Sequence, residues 1–193
     1  MKNNRFGQST VLSNYDYLKI RKHQSNLKHR LIIDIAWYTG ERLGAIIQLK
    51  VDNVFESNGN VREFITFQSN TRKASPDGKR LTRQVPVHSS LKEILSAYCL
   101  SNISEWLFPG ADPSQHISFR TCDYLLRNAV EKAGLGNKGI SSHSFRRSLI
   151  TNLNNKGVDL KTIQKVTGHQ DVRSLVRYID VTEDQVRGAI ELI

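Results

Sequence analysis

Apolar residues recur at helical spacing through most of the chain and alternate only along two short stretches. Residues 13–38 read as helical, with Leu31, Ile32, Ile35 and Ala36 forming one apolar face. Thr39-Gly40 breaks that pattern, and a second short helix is predicted from about Glu41 to Leu49. Residues 61–67 read as a strand with Val61, Ile65 and Phe67 on one face, and Arg83 to Val87 as the strand returning beside it. Ser75-Pro76-Asp77-Gly78 is a turn signal between them, so the pair is expected to form a hairpin with a long basic tip. Beyond it the pattern is helical again. Ser90 and Glu93 have capping-box spacing, Ser118 opens a helix to about Ala133, and Ser142 opens one closed by Gly157. A further helix spans Asp159 to Thr167 and stops at Gly168; a short one carries Tyr178; Thr182 and Gln185 start the last. No internal repeat or low-complexity segment stands out. The expectation is a mainly α domain with a small antiparallel β-sheet (α+β) over residues 13–193, preceded by a flexible lead-in over 1–12.

Charge changes the picture more than hydrophobicity does. Hydrophobic residues make up 38% of the chain, enough for a core, but 28 Lys and Arg against 18 Asp and Glu leave a formal net charge of +10. Such a surface points to a polyanionic partner, with nucleic acid the first candidate. Cys99 and Cys122 form no CxxC pair, so both are expected to pack in helices as small hydrophobes in a reducing, cytosolic compartment. No apolar run is long enough to span a membrane, and the N-terminus lacks the apolar stretch of a signal peptide. No Walker A sequence, no HExxH and no paired-carboxylate cluster is present, so neither a metal nor another cofactor is expected.

The segments that can carry chemistry are Thr39-Gly40-Glu41-Arg42, Ser142-His143-Ser144-Phe145-Arg146-Arg147, Thr167-Gly168-His169 and Tyr178. His143 and Arg146 share one helix face. Arg146 precedes His169 by 23 residues, and His169 precedes Tyr178 by nine. Guanidinium groups present paired N–H donors that match phosphate oxygens. A phenol is only about a thousandth ionised at neutral pH, so a nucleophilic tyrosine needs a base or a cationic pocket.

At these residues the sequence resembles the tyrosine recombinase (phage integrase) family, which shows an arginine after a Thr-Gly turn, a His-x-x-Arg on a helix, a Gly-His, and a tyrosine nine residues beyond. The resemblance runs from about Ser13 to the last residue. It implies a catalytic domain that cuts and rejoins double-stranded DNA through a 3′-phosphotyrosine, with neither metal nor ATP, in bacteria, archaea or phage. Tyr178 would be the nucleophile, Arg42 and Arg146 would grip the scissile phosphate, His143 would take the phenol proton, and His169 would donate to the phosphate. A hairpin lysine would protonate the leaving 5′-oxygen; Lys73 matches that position better than Lys79. Arg72, Lys79, Arg80 and Arg147 are expected DNA contacts. The family assembles as a tetramer on DNA through its C-terminal helix, for which Thr182 to Ile193 is the candidate, docking in trans or folding back. It also has an N-terminal DNA-binding domain, which this chain is expected to lack.

One position departs from the pattern. Many members carry an acid three residues after the first arginine; here that residue is Ala45, while Glu41 stands just before Arg42. A type IB topoisomerase, a DNA-binding protein that has lost catalysis and a basic RNA-binding protein remain as alternatives.

Overall fold

The computed structural model describes residues 9–72, 74, 78–100, 104–179 and 183–191. Helix α1 (Asn14–Lys22) begins in a capping box between Ser13 and Asp16. Helix α2 (Leu27–Thr39) buries Leu31, Ile32, Ile33, Ile35 and Ala36 and packs on most of the other helices. The single helix expected over 13–38 is therefore two. The break lies at Gln24, whose side chain donates to the Leu125 carbonyl at 3.0 Å while its own carbonyl accepts from Arg30, and Asn26 restarts the helix by capping Lys28 N–H. Asp34 sits inside the core on α2, where the Tyr17 hydroxyl and the Arg21 guanidinium each reach it at 2.7 Å and tie α1 down.

Helix α3 covers only Leu43–Ile46, shorter than the span expected to reach Leu49. Strands β1 (Phe64–Phe67) and β2 (Arg83–Pro86) pair antiparallel, with Ile65 opposite Val85 and Phe67 opposite Arg83. Their inward face carries Ile65, Phe67, Val85 and also the charged Arg83. The hairpin turn expected at Ser75, Pro76 and Asp77 lies outside the described residues.

Helix α4 (Ser89–Ser96) is capped by His88, whose ring accepts from Ser90 N–H at 3.1 Å, so Ser90 is not the cap. Ser118 caps α5 (Phe119–Lys132) as expected, and Ser141, one residue before the expected Ser142, caps α6 (Ser142–Asn155). Helix α7 (Leu160–Thr167) runs from its Asp159 cap to Gly168, which closes it in the left-handed conformation. Helix α8 (Val172–Val176) ends before Tyr178, which sits in the following turn instead of on the helix. Helix α9 covers Glu183–Ile190; the Thr182 cap expected for it lies outside the described residues.

Two further expectations change. Residues 9–12 are no loose lead-in: Leu12 is buried and its N–H donates to Ser148 Oγ at 2.7 Å. Cys99 is exposed beyond α4, and only Cys122 packs in the core.

The apolar interior falls into two parts. The main core draws on α1 to α6 and the sheet. A small second cluster joins Ile150, Ile163 and Leu175 from α6, α7 and α8, with Tyr178 and Ile179 packed against it. Helix α6 belongs to both.

Gly40 joins this frame to the residues that follow. It ends α2 with φ 59°, and a Cβ there would lie 2.6 Å from Leu149 Cδ2. Gly40→Ala is expected to cost at least about 1–2 kcal/mol, the penalty of a left-handed L-residue, read as a lower urea midpoint at unchanged m-value.

Candidate active site

Behind Gly40 the chain presents a buried acid. Glu41 is 1% exposed. Its carboxylate lies 2.7 Å from Arg83 Nη1, 3.3 Å from Arg72 Nε and 3.9 Å from Arg146 Nη1, and it accepts the backbone N–H of Arg42 at 2.9 Å. Burial pushes its carboxyl pKa up, but Arg83, Arg146, the Arg42 N–H and Arg72 outweigh that and hold it below the usual range.

The arginines around it also use main-chain carbonyls. Arg83 donates to the carbonyls of Thr39 and Val166, at the C-terminal ends of α2 and α7. Arg146, 2% exposed on α6, donates through Nη1 to Gly40 O at 3.0 Å and through Nη2 to Thr167 O at 2.8 Å. Burial first, then the charges of Arg42 and Arg83, bring its guanidinium pKa down to about 9 against the pull of Glu41, so it stays charged at neutral pH. Arg146 Nε is buried and meets no acceptor among the described residues. Arg72, expected at the DNA surface, instead turns inward: it is 9% exposed and donates to the Leu81 carbonyl at 2.7 Å. Its attraction to Glu41 explains the difference.

Arg42 differs from its neighbours. It is partly exposed, and no hydrogen bond or ion pair holds its guanidinium among the described residues. Arg42, Arg146 and His143 line one cavity of about 240 Å³, with Glu41 in its lining as well. His143 is exposed at the start of α6, beside Ser142.

His169 joins from the other side. The Thr167 hydroxyl donates to Ile163 O at 2.6 Å, which leaves its oxygen to accept from His169 Nδ1 at 2.7 Å. His169 Nε2 then faces Arg146 Nη2 with its lone pair, at 3.1 Å. Burial, then Arg146, Arg42 and Arg83, drive its pKa down to about 3, so the ring is neutral. The Tyr178 ring is tilted against it, with centroids 5.9 Å apart. Tyr178 is half-buried, and its backbone carbonyl accepts from Thr151.

The structure thus gathers Arg42, His143, Arg146, His169 and Tyr178 in one region. Lys73 lies outside the described residues, though Thr71 and Arg72 beside it reach the cavity. Lys79 and Arg80 are exposed on the hairpin, and Arg147 follows Arg146 on α6. Among the described residues no three His, Cys, Asp or Glu side chains cluster as a metal site needs. Arg83 was absent from the expected site. Its signal was parity: a basic residue two positions from Val85 falls on the strand's core face.

Two outcomes are expected. Glu41→Gln should cost about 3–5 kcal/mol by urea denaturation, because it leaves the arginines buried without their anion. The second concerns pH. The unfolded chain protonates His169 near pH 6.5 while the folded chain does so only near 3, so stability falls as pH drops through that window. His29, also held down by burial and by Lys28, acts in the same direction. Comparing urea midpoints at about pH 7 and about pH 5, His169→Asn should reduce the acid loss without abolishing it.

Comparison with known proteins bears on the family and the fold. A sequence model described as the phage integrase family matches residues 10–185. The tyrosine recombinase XerC of Staphylococcus carnosus is 24% identical over 169 residues, covering 83% of this chain and 52% of that protein. XerD of Corynebacterium glutamicum is 30% identical over 162 residues, covering 84% of this chain and 51% of that protein. The chain spans about half the length of the curated relatives it matches. Among solved structures, XerA recombinase superposes with a TM-score of 0.73 at 20% identity, over 96% of this chain and 65% of that one. The catalytic domain of bacteriophage HP1 integrase gives a TM-score of 0.62 at 17% identity and covers 95% of both chains.

Proposed function

Since the chain belongs to the phage integrase family, we propose that it is the catalytic domain of a site-specific DNA recombinase that cleaves and rejoins strands through a phosphotyrosine at Tyr178. The observation that carries this reading is that Arg42 and Arg146 line one cavity, one with an unengaged guanidinium and the other with a buried Nε lacking an acceptor among the described residues. A phosphate seated there would take the donors that the protein leaves over, and the surplus positive charge would stabilise a pentacoordinate phosphorus.

In the proposed reaction the Tyr178 hydroxyl attacks phosphorus, the P–O5′ bond breaks, and the 3′-phosphate remains on the tyrosine. His143, facing the same cavity, takes the phenol proton, and Lys73 gives a proton to the leaving 5′-oxygen. A 5′-hydroxyl of a partner strand then reverses the step. One phosphodiester replaces another, so the exchange needs no ATP. His169 Nε2 carries no proton while it faces Arg146. Its donation to phosphate requires protonation or a tautomer change when Arg146 turns to the substrate. That makes His169 the site residue whose role depends most on DNA binding.

Lys79, Arg80 and Arg147 would add sequence-independent phosphate contacts. Helix α9 leaves Val186 and Ile190 exposed, an apolar pair suited to docking in a tetramer on DNA.

The test is covalent trapping. The protein is incubated with duplexes of randomised sequence containing bridging phosphorothiolates, whose thiolate departs without an acid and cannot readily religate. A covalent adduct should form, and Tyr178→Phe, which lacks the attacking oxygen, should abolish it. An adduct that survives that substitution overturns the assignment; none from the parent protein favours a DNA-binding protein without catalysis. Exchange between two duplexes, instead of supercoil relaxation alone, separates a recombinase from a topoisomerase.

A further inference from the structure

Three of the arginines in this region, Arg42, Arg72 and Arg146, line the cavity, but they do not account for its apolar lining. Leu43 and Ala45 lie in it and are almost wholly buried, whereas Phe119, the first residue of α5, lines the same cavity and stays 50% exposed. Phe119 is part of neither hydrophobic cluster. Ser118 fixes it in place by accepting the N–H of Thr121 at 3.0 Å. The lining is open at Gly44, where a Cβ would meet nothing within 4 Å.

A half-exposed phenyl ring in a cavity that arginines also line gains nothing from a bare inorganic phosphate. It gains from a ligand that joins an anion to a flat apolar ring, which is the composition of a nucleotide. From this we infer that Phe119 is a substrate-contacting residue whose ring packs on the nucleobase flanking the phosphate held by Arg42 and Arg146. The inference rests on the reading of the site as one that binds DNA. It assigns the cavity two subsites: a cationic one for the phosphate, and an apolar one, formed by Phe119 with Leu43 and Ala45, for the adjoining base. Base–aromatic stacking tolerates any sequence, because every base has a π-face. Phe119 therefore adds affinity and holds the strand in register without reading its sequence.

The test does not need catalysis. Phe119→Trp places a fluorophore at the wall, read against the background of Trp37 and Trp106 in the parent protein. A short oligothymidylate should quench the added emission, while an abasic deoxyribose-phosphate oligomer of equal charge should bind without quenching it. Phe119→Ala should weaken oligothymidylate binding by about tenfold, in keeping with the loss of one stacked base. The slope of log Kd against log salt should stay unchanged, because no phosphate contact is removed. Equal quenching by both oligomers, or an affinity indifferent to Phe119→Ala, overturns the inference. The adduct assay reports separately on Tyr178. Base-specific quenching with no adduct supports the Phe119 contact and rejects strand cleavage; an adduct without quenching does the reverse.

Discussion

Everything around the candidate site depends on one buried carboxylate. Glu41 sits where water cannot reach it, and each of Arg72, Arg83 and Arg146 would be costly to bury without it. With Arg42 nearby, the region holds four guanidinium groups against that single anion. Full neutrality is never reached. The excess positive charge is held by partial charges: the carbonyls at the ends of α2 and α7, where the helix dipoles are negative, accept from Arg83 and Arg146. What remains opens on the cavity, and it is there that an anion would complete the balance.

This arrangement also gives two of the positive-φ glycines a common purpose. Gly40 and Gly168 each end a helix in the left-handed conformation and turn the chain abruptly. The first turn sets Glu41 and Arg42 directly after the α2 terminus, and the second sets His169 directly after that of α7. At Gly168 a Cβ would lie 2.8 Å from Arg72 Nη2 and 2.9 Å from Arg83 Cδ, so the close packing of the arginines also requires a residue without a side chain there. Backbone geometry and charge clustering are thus one constraint.

Much of this was legible from residue order. The helices α5, α6 and α7 and the two strands follow from periodicity and capping signals, because local chemistry settles both, whereas periodicity alone ran α1 and α2 together. Cap positions slipped by one or two residues, as at Ser141 and His88, where several polar side chains compete for the same N–H groups. The arginines were harder. Arg42 and Arg146 stand in recognisable motifs, but Arg72 and Arg83 lie in a basic hairpin where solvent exposure is the default. Only the partner, 42 residues away from Arg83 along the chain, turns them inward. For the same reason Ala45 looked like a lost acid. The acid that Arg72, Arg83 and Arg146 meet is Glu41, and no local pattern says that a glutamate beside a turn points into the protein.

The division of the interior bears on how the site works. Arg42 directly precedes Leu43 of the main core, whereas Tyr178 packs on the small cluster of Ile150, Ile163 and Leu175. A cluster of that size opens at lower free energy than the main core, so the turn bearing Tyr178 is the part of the site most free to move. Arg146 lies on α6, the helix shared by both clusters, and reaches His169 beside Tyr178 as well as Gly40 beside Arg42. In the proposed reaction the tyrosine must approach a phosphate and later release it, while the backbone carrying the groups that hold that phosphate stays still. A phosphate cradle built on the main core and a lightly held nucleophile, joined through one helix, meet both demands. The neutral His169 ring adds no further positive charge to repel Arg146, so the contact between the two halves persists until a phosphate draws Arg146 away.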